Sequence, residues 1–322
     1  MFPRNVFPQG VGSAWEIDAP AKLNLYLEIL GAPINGFHPL ETLMVPVRIY
    51  DQLRWTAKAY ISSPSQHIAG CTLRIRNWLT TGDTGERGDT SEGLLSSGKD
   101  NLVLRAANLL AQVAGIEPYG AFELNKRIPM QAGLGGGSSD AAAALLLANQ
   151  GWGLRYSRQR LIKIAADLGS DVPYFLSMGA AVCRGRGERI KPVAGLPRLN
   201  FVIVKPPLGL STAEVFSRLS QVGNNYGRAT SALPLLLESL RQGAISQASQ
   251  WMTNRLEQSA EQLTPWIDRL RNVFANFGCY AHLMTGSGSS YIGIMRSAKQ
   301  ARRVARQIAG MKLGNVFATA SC

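Results

Sequence analysis

Cysteine and histidine are scarce in this chain, and their scarcity removes whole classes of chemistry. The four cysteines, Cys71, Cys183, Cys279 and Cys322, lie far apart without a C-x-x-C pair, and the histidines are His38, His67 and His282. Neither a disulfide framework nor a zinc site is suggested. Long apolar runs are missing too: the longest, Ala141 to Ala148, has eight residues, where a membrane span needs ~20. The opening MFPRNVFPQGVGSAW has no apolar h-region and too little serine for a transit peptide. The expectation is a soluble protein of the cytoplasm, or of the plastid stroma if this is the mature form of a plastid protein.

Acidic residues are also few. Asp and Glu number 21 against 34 Lys and Arg, a net charge of +13, with basic clusters at Arg155–Lys163, Arg184–Lys191 and Arg296–Arg306. Such an excess is compatible with RNA or DNA binding. No basic strand interleaved with aromatics accompanies it, so the expectation is a solvated basic surface that attracts phosphorylated small molecules, with no nucleic-acid and no membrane partner. At 322 residues with 46% hydrophobic and 17% charged, the composition is ordinary for a globular chain with room for two domains.

What the chain does have is glycine, concentrated in Pro129 to Asn149, PMQAGLGGGSSDAAAALLLAN. Gly133, Gly135, Gly136 and Gly137 precede Ser138, Ser139 and Asp140, which open a run of alanine and leucine. A glycine loop feeding a helix N-terminus favours an anion, because backbone N–H groups are unpaired at the positive end of the helix dipole. No lysine follows the glycines, which excludes a P-loop, and Ser138 stands where the dinucleotide fingerprint needs its third glycine. The bland alternative is a flexible connector ending in an N-cap serine. A helix apolar all round must be buried, which speaks against a slack linker.

Elsewhere the pattern alternates strands and helices. Pro20 to Leu30 reads as a strand that buries Ala21, Leu23, Leu25, Leu27 and Ile29 and presents Lys22, Asn24, Tyr26 and Glu28. Asn35-Gly36 marks a tight turn before Phe37 and His38, and Glu41 to Tyr50 is strand-like. Ser62 to Lys99 is polar and reads as a long loop. Asn101 caps a helix over Leu102–Ala114 that stops at Gly115, and Ser157 caps Arg158–Leu168. A strand over Ala121–Ile128 carries Lys126, which could reach a nucleotide phosphate or remain solvated. On local grounds Asp171, two residues before Pro173, is the N-cap of a short helix. Strands follow at Ala180–Cys183 and Phe201–Lys205. Ser211 to Glu214 forms a capping box for a helix through Leu219, and Ser231 to Phe277 reads as helical. A glycine loop at Thr285–Ser290 separates strands Tyr280–Met284 and Tyr291–Met295, before a helix over Ala298–Ala309 and a strand near Val316.

PMQAGLGGGSSDAAAALL resembles the phosphate-binding motif of the GHMP kinases, a superfamily of small-molecule kinases. Gly169-Ser170-Asp171-Val172-Pro173 and LMTGSGSSYIGI resemble its second and third signatures, in the same order. PAKLNLYLEILGAPINGFHPLET is similar to the opening of one GHMP family, the 4-diphosphocytidyl-2-C-methyl-D-erythritol kinases of non-mevalonate isoprenoid synthesis. The departures are Phe37, where that family usually has tyrosine, the Gln131-Ala132 pair and the long polar stretch before Asp100.

The resemblance implies an α+β chain of two domains, about residues 1–200 and 201–322, with the active site in the cleft between them. It implies ATP and Mg²⁺ as cofactors, and phosphorylation of the substrate's 2-hydroxyl. Lys22 and Asp171 take the catalytic positions, with Asp171 either accepting the hydroxyl proton or orienting the alcohol. Pro129, Met130, Gln131, Ala132, Gly133, Leu134, Gly135, Gly136, Gly137, Ser138 and Ser139 fall on the phosphate loop, with Asn101 and Lys126 as further nucleotide candidates and Ser138 or Ser139 as the Mg²⁺ ligand. Asn24, Phe37, His38, Thr212, Phe216, Gly286, Ser287 and Gly288 fall on the cytidine diphosphate side. The expected state is a monomer or homodimer. The rivals are a homoserine- or mevalonate-type kinase, and a basic RNA-binding protein.

Overall fold

A computed structural model describes residues 4–5, 14–57, 70–77, 100–221 and 232–322. Strands β1 (Arg4–Asn5), β2 (Ala14–Ile29), β3 (Leu40–Thr56) and β4 (Thr72–Asn77) precede helix α1 (Leu102–Ala114), strand β5 (Ala121–Lys126) and helices α2 (Gly136–Gly151), α3 (Arg158–Ala165) and α4 (Val172–Ser177). Strands β6 (Ala181–Gly185), β7 (Arg189–Pro192) and β8 (Asn200–Lys205) lead to helices α5 (Thr212–Gln221), α6 (Leu233–Arg241) and α7 (Ile245–Ala248), strand β9 (Thr253–Asn254), and helices α8 (Glu257–Glu261) and α9 (Trp266–Ala275). Strands β10 (Ala281–Met284) and β11 (Tyr291–Met295), helix α10 (Ala298–Gly310) and strand β12 (Asn315–Ala320) close the chain.

By packing, the chain forms two units, both discontinuous in sequence: Met1–Ala21, Ile49–Ile128 and Gly135–Met178 in the first, Lys22–Arg48, Pro129–Leu134 and Gly179–Cys322 in the second. Strands β2 and β3 contribute residues to both.

In the first unit β5 pairs antiparallel with the end of β3 (Leu53 opposite Leu124) and parallel with β4. Helix α2 is buried over the whole run Ala141–Ala148, as its lack of a polar face requires. Gly151, its last residue, lets the buried Trp55 ring approach, since a Cβ there would lie 2.3 Å from that ring. Strand β4 corrects the expectation of unbroken loop from Ser62 to Lys99. Leu73 and Ile75 are half-buried while Arg74 and Arg76 are exposed, a period-two pattern hidden among polar neighbours. The remainder of that stretch, 62–69 and 78–99, lies outside the described residues.

The second unit is built on an antiparallel sheet in the order β10-β11-β8-β12. Its core joins Val202 and Val204 of β8, Phe274 of α9, and Val304 and Ile308 of α10. β9 pairs parallel with β2, Leu27 opposite Asn254, inside a stretch expected to be all helix. Two residues held by a distant strand carry no local periodicity. Among the described residues no helix is long and apolar enough to cross a membrane.

Candidate active site

In the second unit the site begins with Lys22 on β2. The alternating pattern of β2 predicts that Lys22, Asn24 and Tyr26 face solvent, but they are only 3%, 1% and 2% exposed. Burial of that polar row is possible because its groups find partners inside. Lys22 Nζ donates to Asn24 Oδ1 at 2.7 Å, and Asn24 Nδ2 donates to Thr42 Oγ1 at 2.8 Å. Thr42 Oγ1 in turn donates to the Tyr26 carbonyl, and the Asn24 N–H donates to Thr285 Oγ1 at 2.9 Å. Asn24, placed by resemblance on the substrate side, thus has its side-chain amide engaged at both ends and orients the ammonium.

The two glycine loops meet here. Gly133 has φ +71°, and a Cβ on it would lie 2.2 Å from the Thr285 carbonyl oxygen; Gly286 has φ +59°, and its Cβ would lie 2.8 Å from the Gly133 oxygen and 3.1 Å from Lys22 Nζ. Only glycine fits at either position. The Lys22 N–H donates to Leu134 O at 3.0 Å and the Ser290 N–H to Ala132 O at 3.3 Å. Thr212 Oγ1 and Ser287 Oγ are 2.8 Å apart. Gln131, exposed at φ +47°, lies against Gly209, where a Cβ would come within 2.6 Å of its side-chain oxygen. Pro129, Ala132 and Leu134 are buried, and Met130 is half-buried.

On the same unit His38 stacks on Phe216, ring centroids 5.8 Å apart at 26°, with its Nδ1 3.2 Å from Gly31 O. The Asn35-Gly36 turn, both residues at positive φ, brings Phe37 next in line. Phe37 is 50% exposed with the Arg186 guanidinium 5.0 Å over its ring. One residue that holds the second glycine loop was not picked out from the sequence: Asn254, whose Nδ2 donates to both Met284 O and Gly286 O at 2.8 Å. It stands in no motif, so no sequence signal could have found it.

In the first unit α2 starts at Gly136, two residues before the serine expected to open it. Its N-cap is Gly135 at φ +70°, with no side-chain cap. Thus the connector reading with an N-cap serine does not describe this turn. Ser138 is half-buried and Ser139 fully buried, its hydroxyl without a partner among the described residues. Gly137 is exposed.

Lys126 lies under this turn. A Cβ on Gly136 would come within 3.2 Å of its ammonium, which is 2% exposed and so is not solvated. It donates to Asp140 Oδ2 at 2.8 Å and to Asp51 Oδ2. Asp51 Oδ1 accepts the N–H groups of Arg127 (2.5 Å) and Ile128 (2.8 Å). Burial alone would favour a neutral lysine, but Asp140 and Asp51 outweigh it and hold its pKa above the ordinary value. Asp140, fully enclosed, is pushed up to about 7, by burial first and by Asp51, against the pull of Lys126.

Asn101 is engaged as the N-cap of α1, its side chain accepting the Val103 N–H at 2.9 Å. Asp171 precedes α4 at the cap position, yet its carboxylate makes no cap hydrogen bond to that helix. Asp171 thus holds the expected N-cap position without a side-chain cap.

Residues 101–179 match the GHMP kinases N terminal domain, and residues 236–311 the GHMP kinases C terminal family. A 4-diphosphocytidyl-2-C-methyl-D-erythritol kinase of Pelotomaculum thermopropionicum is 35% identical over 287 residues, 89% of this chain and 91% of that one. The chloroplastic enzyme of that name from Oryza sativa is 36% identical over 281 residues, covering 86% of this chain and 63% of the rice protein. A crystal structure of a 4-(cytidine 5'-diphospho)-2C-methyl-D-erythritol kinase superposes with a TM-score of 0.73 at 31% identity, over 95% of this chain and 98% of the other. With likeness of this extent in both sequence and fold, the chain belongs to the 4-diphosphocytidyl-2-C-methyl-D-erythritol kinase family of the GHMP kinases.

Proposed function

We propose that the protein transfers the γ-phosphoryl group of ATP to the 2-hydroxyl of 4-diphosphocytidyl-2-C-methyl-D-erythritol, as a soluble cytoplasmic or plastid-stromal enzyme. One observation carries the reading: a buried, oriented ammonium, Lys22, sits against Gly286 where that glycine loop locks onto Gly133 of the other. Phosphoryl transfer needs held phosphates, neutralised charge and an aligned alcohol. The uncapped amides at the start of α2 hold phosphate oxygens. Lys22 stabilises negative charge on the attacking oxygen or the transferred group. Asp171, in the signature position, takes the hydroxyl proton or aligns the hydroxyl. Phe37 and Phe216 offer aromatic faces and His38 a ring nitrogen to the cytosine.

Among the described residues no cluster of three His, Cys, Asp or Glu could hold a metal alone. Asp51 and Asp140 are engaged by Lys126. Of the hydroxyls at the loop, Ser138 is the half-buried one, and a hydroxyl suits Mg²⁺, an ion that takes much of its shell from substrate phosphates and water. Held there with ATP by the Ser138 hydroxyl, the ion would supply neutralisation of phosphate charge. The test is turnover of ATP with the cytidine diphosphate methylerythritol, homoserine or mevalonate offered separately. Activity on the first alone is expected. Activity confined to another alcohol overturns the substrate, and RNA affinity without turnover overturns the reading.

A further inference from the structure

The second unit holds a basic concavity formed by residues outside the proposed catalytic and binding set. Its volume is about 210 Å³, and Arg48, Arg198 and Arg302 line it with Asn200, Thr319 and four alanines. No carboxylate lines it, and no described carboxylate forms an ion pair with any of the three arginines. The three come from separate segments: the middle of strand β3 just after Val47, the connector before β8, and the first turns of α10.

Each exposed arginine adjoins a buried residue that fixes its backbone: Val47 beside Arg48 (0% exposed), Leu199 beside Arg198 (4%) and Ala301 beside Arg302 (2%). The first two segments are tied together through the last residues of the chain. Ser321 Oγ accepts the Leu199 N–H at 3.0 Å. The Ser321 N–H donates to Leu199 O, and the Cys322 N–H to Pro46 O, both at 3.0 Å. Val47 forms a β-bridge with Ser321. So the backbones that carry Arg48 and Arg198 are tied to each other, and Arg302 stands on helix α10.

Three like charges around one hollow repel each other, and nothing in the wall offsets them. An anion with several charges does so, and guanidinium forks match phosphate oxygens in pairs. Ala298, the first residue of α10, also lines the hollow, so the positive end of that helix dipole adds to the field. The alanine floor and small volume suit a compact group, and the wall offers no aromatic ring for a stacked base. We propose that this concavity is a binding site for a compact multiply charged phosphate of the diphosphate class. The inference does not depend on the kinase reading.

Calorimetric titration of the full chain with inorganic diphosphate at about 0.15 M salt tests it. The wild type is expected to show a saturable component that Arg48→Gln/Arg302→Gln weakens about tenfold or more, since each lost charge-assisted contact is worth about that much. Arg198→Gln, made separately, is expected to weaken it in the same way, which guards against a folding defect in the double variant. Turnover and the KM for ATP are expected to be unchanged in both. Equal diphosphate binding in wild type and variants, or sulfate binding as tightly as diphosphate, overturns the site. Loss of RNA affinity in the variants with diphosphate binding intact also overturns it, and reassigns the arginines to a nucleic-acid surface.

Discussion

Lys126 and Asp140 form a buried ion pair of 2.8 Å whose partners stand on the two sides of the glycine loop, one before Pro129 and one after Ser139. Asp51 completes the bridge by holding Lys126 and the N–H groups of Arg127 and Ile128. The brace ties the strand that leads into the loop to the helix that leaves it.

Lys126→Met would strand two enclosed carboxylates without their counter-charge. Breaking a buried pair from one side costs roughly 3–5 kcal/mol. Urea unfolding is expected to show a correspondingly lower midpoint at an unchanged slope. An unchanged midpoint would mean that the lysine is not paired in solution.

Asn24→Ala removes the acceptor that orients Lys22 without touching the ammonium. A fall in kcat of about 10- to 100-fold is expected, smaller than the ~10²- to 10³-fold loss expected of Lys22→Met. Steady-state kinetics of the pair settle it, and equal losses would place Asn24 in direct contact with the reacting groups.

Gly137→Ala separates stability from phosphate approach. A Cβ there meets only Leu102 at 3.5 Å, so the helix is expected to gain about 0.4–1 kcal/mol. The same methyl group would stand at the amides proposed to receive phosphate, and a raised KM for ATP is expected. A more stable variant with unaltered KM would remove Gly137 from the nucleotide site.

His282, stacked on Phe274, has its pKa lowered from 6.5, by burial first and also by Arg271, with Glu257 opposing. The folded state holds this proton less firmly than the unfolded chain, so its contribution to stability is present above pH about 6.5 and is lost as pH falls below it. Thermal melts of wild type and His282→Gln between neutral and mildly acidic pH are expected to converge on acidification. A constant gap would contradict that assignment.

Local signals were legible and remote ones were not. Helix α1 runs over the expected Leu102–Ala114 because Asn101 and Gly115 state both ends through nearest-neighbour chemistry. The turn at Asn35-Gly36 was readable for the same reason. The second buried face of β2 was not, because Asn24 is satisfied by Thr42, on another strand, through its side chain and by Thr285, 261 positions away, through its backbone N–H. Neither was the early start of α2, which depends on Gly135 turning left-handed where a serine offered a plausible cap. For Lys126 the sequence left phosphate contact and solvation open, because its partners, Asp51 and Asp140, are brought to it only by the fold.

Phosphorus-31 spectra of a reaction containing the protein, ATP, Mg²⁺ and 4-diphosphocytidyl-2-C-methyl-D-erythritol follow the transfer itself. ADP and a new phosphomonoester on the 2-hydroxyl are expected, formed in equal amounts and absent with Asp171→Ala. Inorganic phosphate in place of that ester, or an ester on another hydroxyl, would contradict that transfer.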